Sequence, residues 1–165
     1  MGTGAGPDTR PDTGPDARLA GLGITIPEVV APLAAYQPAA RSGNIVFTAG
    51  QLPARDGEML AIGKVGGEVT EEQGYECARQ CALNALAAVK AEIGSLEDIR
   101  RVVKVVVFVA STPDFIGQPT VANGASELLD QVFGDAGKHA RSAVGVAVLP
   151  LDVPVEVELV VEVNV

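Results

Sequence analysis

One arginine in this 165-residue chain stands where an arginine can do chemistry. In His139-Ala140-Arg141-Ser142-Ala143-Val144-Gly145-Val146-Ala147-Val148-Leu149-Pro150, β-branched residues recur at every second position, the period of a strand. Val144, Val146 and Val148 then share one face, and Arg141, Ala143, Gly145 and Ala147 the other. The guanidinium ends a face lined only by Ala and Gly, with empty space before it. Its fixed two-pronged donor geometry matches a carboxylate. A second alternating run, Val155-Glu156-Val157-Glu158-Leu159-Val160-Val161-Glu162-Val163, turns Glu156, Glu158 and Glu162 away from an apolar side. A carboxylate near a bound substrate can hold or activate water. Arg141 with a glutamate one strand later therefore outlines a pocket for a small anionic molecule. The same pattern also fits an arginine paired with a glutamate on a solvated sheet face. The residues alone leave both readings open.

Other reactive residues are few. Cys77 and Cys81 are four apart in a helical pattern and share one face. Zinc would need two more ligands, and His139 is the only histidine. A disulfide across one helical turn is geometrically rare, so both read as small buried thiols, which suit a reducing cytoplasm. The net charge of -9 argues against binding a nucleic-acid backbone, where Lys and Arg must displace counterions. No apolar run reaches the ~18 residues of a spanning helix. The N-terminus lacks the basic-then-apolar layout of a secretory signal. The expectation is a soluble, cytoplasmic protein that binds neither membrane nor nucleic acid.

The positioning elements follow from pattern. Residues 1–15 hold Gly, Pro, Thr and Asp and little to bury, a disordered tail; residues 16–165 form a single domain. Asp16 caps a short helix over residues 17–22 that Gly23 closes. Residues 33–41 and 45–49 read as strands joined by a Ser42-Gly43-Asn44 turn. Residues 54–68 read as a glycine-rich loop. Lys64 precedes Gly66-Gly67, the wrong order for a phosphate cradle. Thr70-Glu71-Glu72-Gln73 is a capping box, and the helix it opens runs over residues 71–93 to Gly94. Its buried stripe is Tyr75, Ala78, Ala82, Leu86, Val89 and Ile93. Residues 99–110 are a central strand, with valines on both faces. A second helix starts around Ser111-Thr112-Pro113-Asp114 and ends near Phe133. The order ββ-α-β-α-ββ is an α+β layout, a mixed β-sheet packed against two α-helices on one face. Its other, partly apolar face predicts association through the sheet.

Several of these stretches together resemble the Rid superfamily, also called YjgF or L-PSP. They are Ser42-Gly43-Asn44 into Val46-Phe47-Thr48-Ala49-Gly50-Gln51-Leu52-Pro53, then Val105 to Val109 and Asp114-Phe115. Asn123 with Glu127, Ala140-Arg141-Ser142 and Leu149 to Glu158 complete the set, so the resemblance covers residues 36–163. It implies a chorismate-mutase-like fold and a homotrimer with pockets at the subunit interfaces. It implies hydrolysis of reactive enamines and imines, such as 2-iminobutanoate and 2-iminopropanoate, to 2-keto acids and ammonia, with no cofactor and no metal. By the same likeness, Arg141 holds the substrate carboxylate and Glu156 is associated with the attacking water. Tyr36, Asn123 and the Gly50 backbone line the pocket, and Ala143 could hold a water through its carbonyl. Two departures matter: Ala143 replaces a cysteine of the well-studied deaminases and Gly145 a glutamate, which implies either a roomier pocket or one tuned to a different substrate. They motivate an alternative, a trimer that binds or senses a small carboxylate metabolite without turnover. A third reading, endoribonuclease, attaches to relatives by name; the acidic charge and the single histidine speak against it.

Overall fold

The computed structural model describes residues 14–29 and 35–164. The tail expectation for residues 1–13 and the strand expectation at 33 and 34 lie outside the described residues. Seven strands and three α-helices are described: α1 Pro15–Gly21, β1 Ala39–Ser42, β2 Ile45–Thr48, β3 Ala54–Arg55, β4 Glu58–Met59, α2 Glu71–Ile93, β5 Ile99–Ala110, α3 Gln118–Phe133, β6 Ala140–Val146 and β7 Val155–Val163.

Five strands form one sheet in the order β1-β2-β7-β5-β6. Only β5 and β6 run parallel, because α3 carries the chain back between them. The strand over residues 99–110 is paired on both sides, as its valines require. Val155, Val157, Leu159, Val161 and Val163 are all buried on one face of β7. They meet Leu86 of α2 and Leu128 and Leu129 of α3 in one core. Fully burying each such leucine contributes about 1.5–3 kcal/mol. With few aromatics, the core closes only because small residues let the helices come near. Twelve residues of α2 are buried, including Ala78, Ala82, Ala85 and Ala88.

The capping box at Thr70 is complete: Gln73 N–H donates to Thr70 Oγ1 (3.1 Å) and Thr70 N–H to Gln73 Oε1 (2.9 Å). Cys77 and Cys81 are free and buried, and the Cys81 thiol lies 3.5 Å from the Val155 carbonyl. Burial pushes the Cys77 thiol up to about 11.

Several expectations need correction. Asp16 is not a cap: α1 starts at Pro15, two residues earlier than expected, behind Gly14, and the Asp16 N–H instead donates to Glu97. Tyr36 precedes β1 rather than lying in it, since pairing with β2 starts at Ala39. Tyr75 is not a core residue; its hydroxyl donates to Glu127 (2.7 Å) and ties α2 to α3. The second helix begins at Gln118, not Ser111, because Val65 bridges Ser111 and holds that stretch extended.

Residues 54–59, expected as loop, form the β3–β4 hairpin. Asp56 and Gly57 both have positive φ (54° and 84°), the backbone that an Asp-Gly two-residue turn prefers. Asn84 of α2 pins the approach to this hairpin. Its buried amide donates to the carbonyls of Leu52 (2.8 Å) and Ala54 (2.9 Å), and its oxygen accepts from Gln80 (3.0 Å).

Candidate functional site: an arginine on the helix face of an edge strand

Arg141 lies in β6, opposite the fully buried Val105. That register turns its side chain toward the helix layer, where α3 crosses. Nη1 donates to Asn123 Oδ1 (2.8 Å) and to Ser126 Oγ (3.1 Å), and Nη2 donates to the Pro119 carbonyl (3.2 Å). Three of the five guanidinium N–H groups are thereby committed to α3. Among the described residues, two N–H groups remain for a ligand, the number that a carboxylate fork accepts. Asn123 and Ser126 are three apart on one helix face, which lets both reach the same nitrogen.

Ser126 leads on to His139. Its Oγ lies 2.9 Å from His139 Nε2, and His139 Nδ1 lies 2.6 Å from the Gly137 carbonyl. A carbonyl only accepts, so Nδ1 carries the ring proton. In the neutral ring Nε2 is then the acceptor, and Ser126 donates to it. Burial lowers the pKa of His139, and the Arg141 charge acts the same way, against the Gly137 carbonyl, which favours the cation.

Ala143 follows on the Arg141 face, with its methyl against the core. The room expected at Gly145 is filled. A Cβ there would meet Gln118 Nε2 and Ser111 Oγ, both at 2.9 Å. The Gln118 amide is itself fixed by the Phe115 carbonyl (2.8 Å) and Ser111 (3.3 Å). Where the resemblance implies a glutamate, this chain presents a neutral carboxamide from α3.

Tyr36, Gly50 and Glu156 form a second, separate cluster. Tyr36 and Gly50 line a cavity of about 630 Å³ with Gln51, Asn84 and Leu151. The Glu156 carboxylate lies directly against Gly50, so that an added Cβ would land on it. Burial raises the pKa of Glu156, and repulsion from Glu158 adds to the rise. Within one chain this cluster does not meet Arg141. Glu156 pairs with Phe108 on the outer face of the sheet, whereas Arg141 pairs with Val105 on the helix face. The strand β5 also separates β7 from β6, a displacement of roughly 10 Å at the usual spacing.

The chain matches the family model described as "YjgF/chorismate mutase-like, putative endoribonuclease" over residues 16–163. It belongs to the YjgF, or Rid, superfamily. It is 44% identical over 149 residues to Protein TCP17 of Trypanosoma cruzi, covering 90% of this chain and 93% of that protein. It is 32% identical over 140 residues to a protein of Dermatophagoides farinae named 2-iminobutanoate/2-iminopropanoate deaminase, covering 84% and 93%. The crystal structure of Atu1372 from Agrobacterium tumefaciens, a protein described as of unknown function, superposes with a TM-score of 0.84 at 43% identity over 92% of each chain. That of TdcF from E. coli with bound serine superposes with a TM-score of 0.59 at 28% identity, covering 84% and 93%. The α+β, chorismate-mutase-like fold read from the sequence is the fold of this superfamily.

The sequence reading singled out Arg141 and Asn123, which the fold brings into contact. Ser126 and Gln118, which the resemblance marks only as features of a less studied branch, had no expected role in the site. The i,i+3 spacing of Asn123 and Ser126 was a usable signal for the first. Nothing local marked the second, since its partner Gly145 is 27 residues away in another element.

The raised pKa of Glu156 has a consequence for stability. A carboxyl that favours protonation in the fold stabilises fully below its unfolded value, and this is lost as pH rises through the folded value. At neutral pH the ionised group is a liability. Glu156→Gln should therefore raise the melting temperature at pH 7, and the gain should vanish once pH falls below the ordinary carboxylate range. Calorimetric melts at both pH values check this; an equal gain at both would point to packing instead.

Proposed function

We propose that the protein is a trimeric deaminase that hydrolyses reactive 2-imino acids to 2-keto acids and ammonia. The observation that carries the reading is Arg141, oriented by three hydrogen bonds to α3 with two donors left for a carboxylate. Further support comes from the relative named 2-iminobutanoate/2-iminopropanoate deaminase and from the relative crystallised with serine, itself a small carboxylate. An iminium carbon is already electrophilic, so holding the acid beside water supplies most of what catalysis needs.

Two clusters that cannot meet in one chain support assembly. The outer sheet face exposes Phe47 (47%) and Val144 (46%), with Val148 (65%) beyond the end of β6. Apolar side chains at such exposure favour a partner surface. A trimer joined through this face would set Arg141 and Asn123 of one protomer toward Tyr36, Gly50 and Glu156 of the next. Free buried Cys77 and Cys81 suit a reducing, cytoplasmic location. The net charge of -9 supports a small-molecule substrate over RNA.

The test is to generate 2-iminobutanoate in the presence of the protein and follow its disappearance, with the mass in solution measured alongside. Faster loss than in buffer, from a species three times the chain mass, is the expected result. Trimers that bind 2-oxobutanoate without accelerating imine loss would support the non-catalytic binder instead. The neutral Gln118 amide beside Gly145 favours that second reading, since it supplies no base.

A further inference from the structure

We propose that His139, acting through Ser126, is the base at the Arg141 end of the site. This rests on the hydrolysis reading above. The direct partners of Arg141 are an amide oxygen, a hydroxyl and a backbone carbonyl, none of which takes up a proton near neutral pH. Glu156 faces the other side of the sheet in the same chain, and the Glu156 that the proposed trimer brings up comes from the next protomer, on the opposite wall of the site. The first group in the cluster able to accept a proton is His139 Nε2, reached through the Ser126 hydroxyl at 2.9 Å.

The hydrogen bonds run in one direction. Arg141 Nη1 donates to Ser126 Oγ, Ser126 donates to Nε2, and Nδ1–H donates to the Gly137 carbonyl. The carbonyl pins the tautomer in which Nε2 is basic. The guanidinium eases transfer of the serine proton by stabilising negative charge on Oγ. Ser126 is half-buried on α3 and borders the surface depression that Arg141 and His139 also line.

The chemistry then balances. Water oxygen bonds to the iminium carbon, and the C=N π pair moves to nitrogen. The water proton passes to Ser126 Oγ as the serine's own proton moves to Nε2, giving a neutral carbinolamine and an imidazolium. The same path returns that proton to the amino nitrogen. The C–N bond breaks, the hydroxyl oxygen forms the ketone, and the hydroxyl proton leaves with ammonia as ammonium. Iminium and water become 2-keto acid and ammonium, and the ring ends neutral.

Charged groups around the ring are Arg141 from β6, Asp130 from α3 and Lys138 from the segment before β6, the last paired with Asp135. Burial and Arg141 favour the neutral ring. Activity should therefore hold at neutral pH and fall in acid, at a pH below the ordinary imidazole value.

The experiment measures kcat and KM for 2-iminobutanoate loss across about pH 5–8, with affinity for 2-oxobutanoate as a reading of Arg141. The variants are His139→Gln, Ser126→Ala and Ser126→Thr. The first two should lower kcat about 100-fold, within the range of general acid–base catalysis, and erase the acid limb. His139→Gln should leave affinity for 2-oxobutanoate unchanged, Ser126→Ala, which also removes a partner of Arg141, should weaken it far less than it lowers the rate, and Ser126→Thr, which keeps the hydroxyl, should restore the rate. As His139 is the only histidine, its nitrogen NMR signals are unambiguous and should report a proton on Nδ1. An active wild type with a His139→Gln variant of equal rate and equal pH profile would overturn the relay and leave the deaminase reading standing. Loss of 2-oxobutanoate affinity in step with rate in His139→Gln would also overturn it, showing that the histidine only positions Arg141. A wild type that leaves imine loss unaccelerated would end both.

Discussion

Replacing Arg141 by alanine is expected to reduce kcat/KM for imine loss by about 10²–10³-fold and to abolish measurable binding of 2-oxobutanoate. The magnitude follows from the bond removed. Losing one partner of a desolvated, charge-assisted pair costs about 2–5 kcal/mol, and every 1.4 kcal/mol is about tenfold. Arg141 stands on the edge strand β6 with its guanidinium oriented by Asn123, Ser126 and the Pro119 carbonyl, so little ordering is left for the ligand to impose. Arg141→Lys keeps the charge but not the planar fork and should fall between the two. Titration calorimetry with 2-oxobutanoate and initial rates of imine loss are the measurements. Wild-type binding by a folded Arg141→Ala protein would remove the residue on which the proposed function depends.

The second large effect is on stability. Gly124→Ala should lower the melting temperature by about 4–8 °C. Gly124 is where α3 comes against α2: a Cβ there would land on the Tyr75 carbonyl, with the Arg79 amide nitrogen 3.1 Å away. Both are helix backbone, which cannot turn aside as a side chain would. The helices must part, and with backbone on both sides of the clash the overpacking costs about 3 kcal/mol, the upper end of the usual range. Alanine's better helix propensity returns about 1 kcal/mol. A net loss of about 2 kcal/mol shifts the midpoint by about 2–4 °C per kcal/mol in a domain of this size. Since Asn123 and Ser126 ride on the same turn of α3, affinity for 2-oxobutanoate should weaken as well. Gly21→Ala is the control: a Cβ at Gly21 meets nothing within 4 Å, so the melting temperature should hold or rise. Equal melting temperatures for wild type and Gly124→Ala would show that the helix pair is more yielding than its geometry implies.

The two contrasting glycines show where local pattern stops. Gly124 and Gly21 both stand in helical runs, and only the packed structure separates them. Gly57 was different, because Asp56-Gly57 marks a hairpin turn on its own and the β3–β4 pair could have been read from it. The start of α3 could not. Residues 111–117 look ready to begin a helix, yet Val65, from a distant loop, holds Ser111 extended by bridging it. Tyr75 had the spacing of a core residue and instead spends its hydroxyl on Glu127.

Local alternation and spacing were enough for the strands β5 and β7, the capped helix α2, the α+β class and the choice of Arg141 as the residue to watch, because each depends on neighbours within a few positions. The tertiary structure alone decided that Arg141 and Glu156 face opposite sides of the sheet. It also decided that Gln118 fills the room before Gly145 and that Ser126 and His139 join the arginine. Those facts depend on strand order and on how α3 crosses β6, where register between segments far apart in the chain sets which side chains meet.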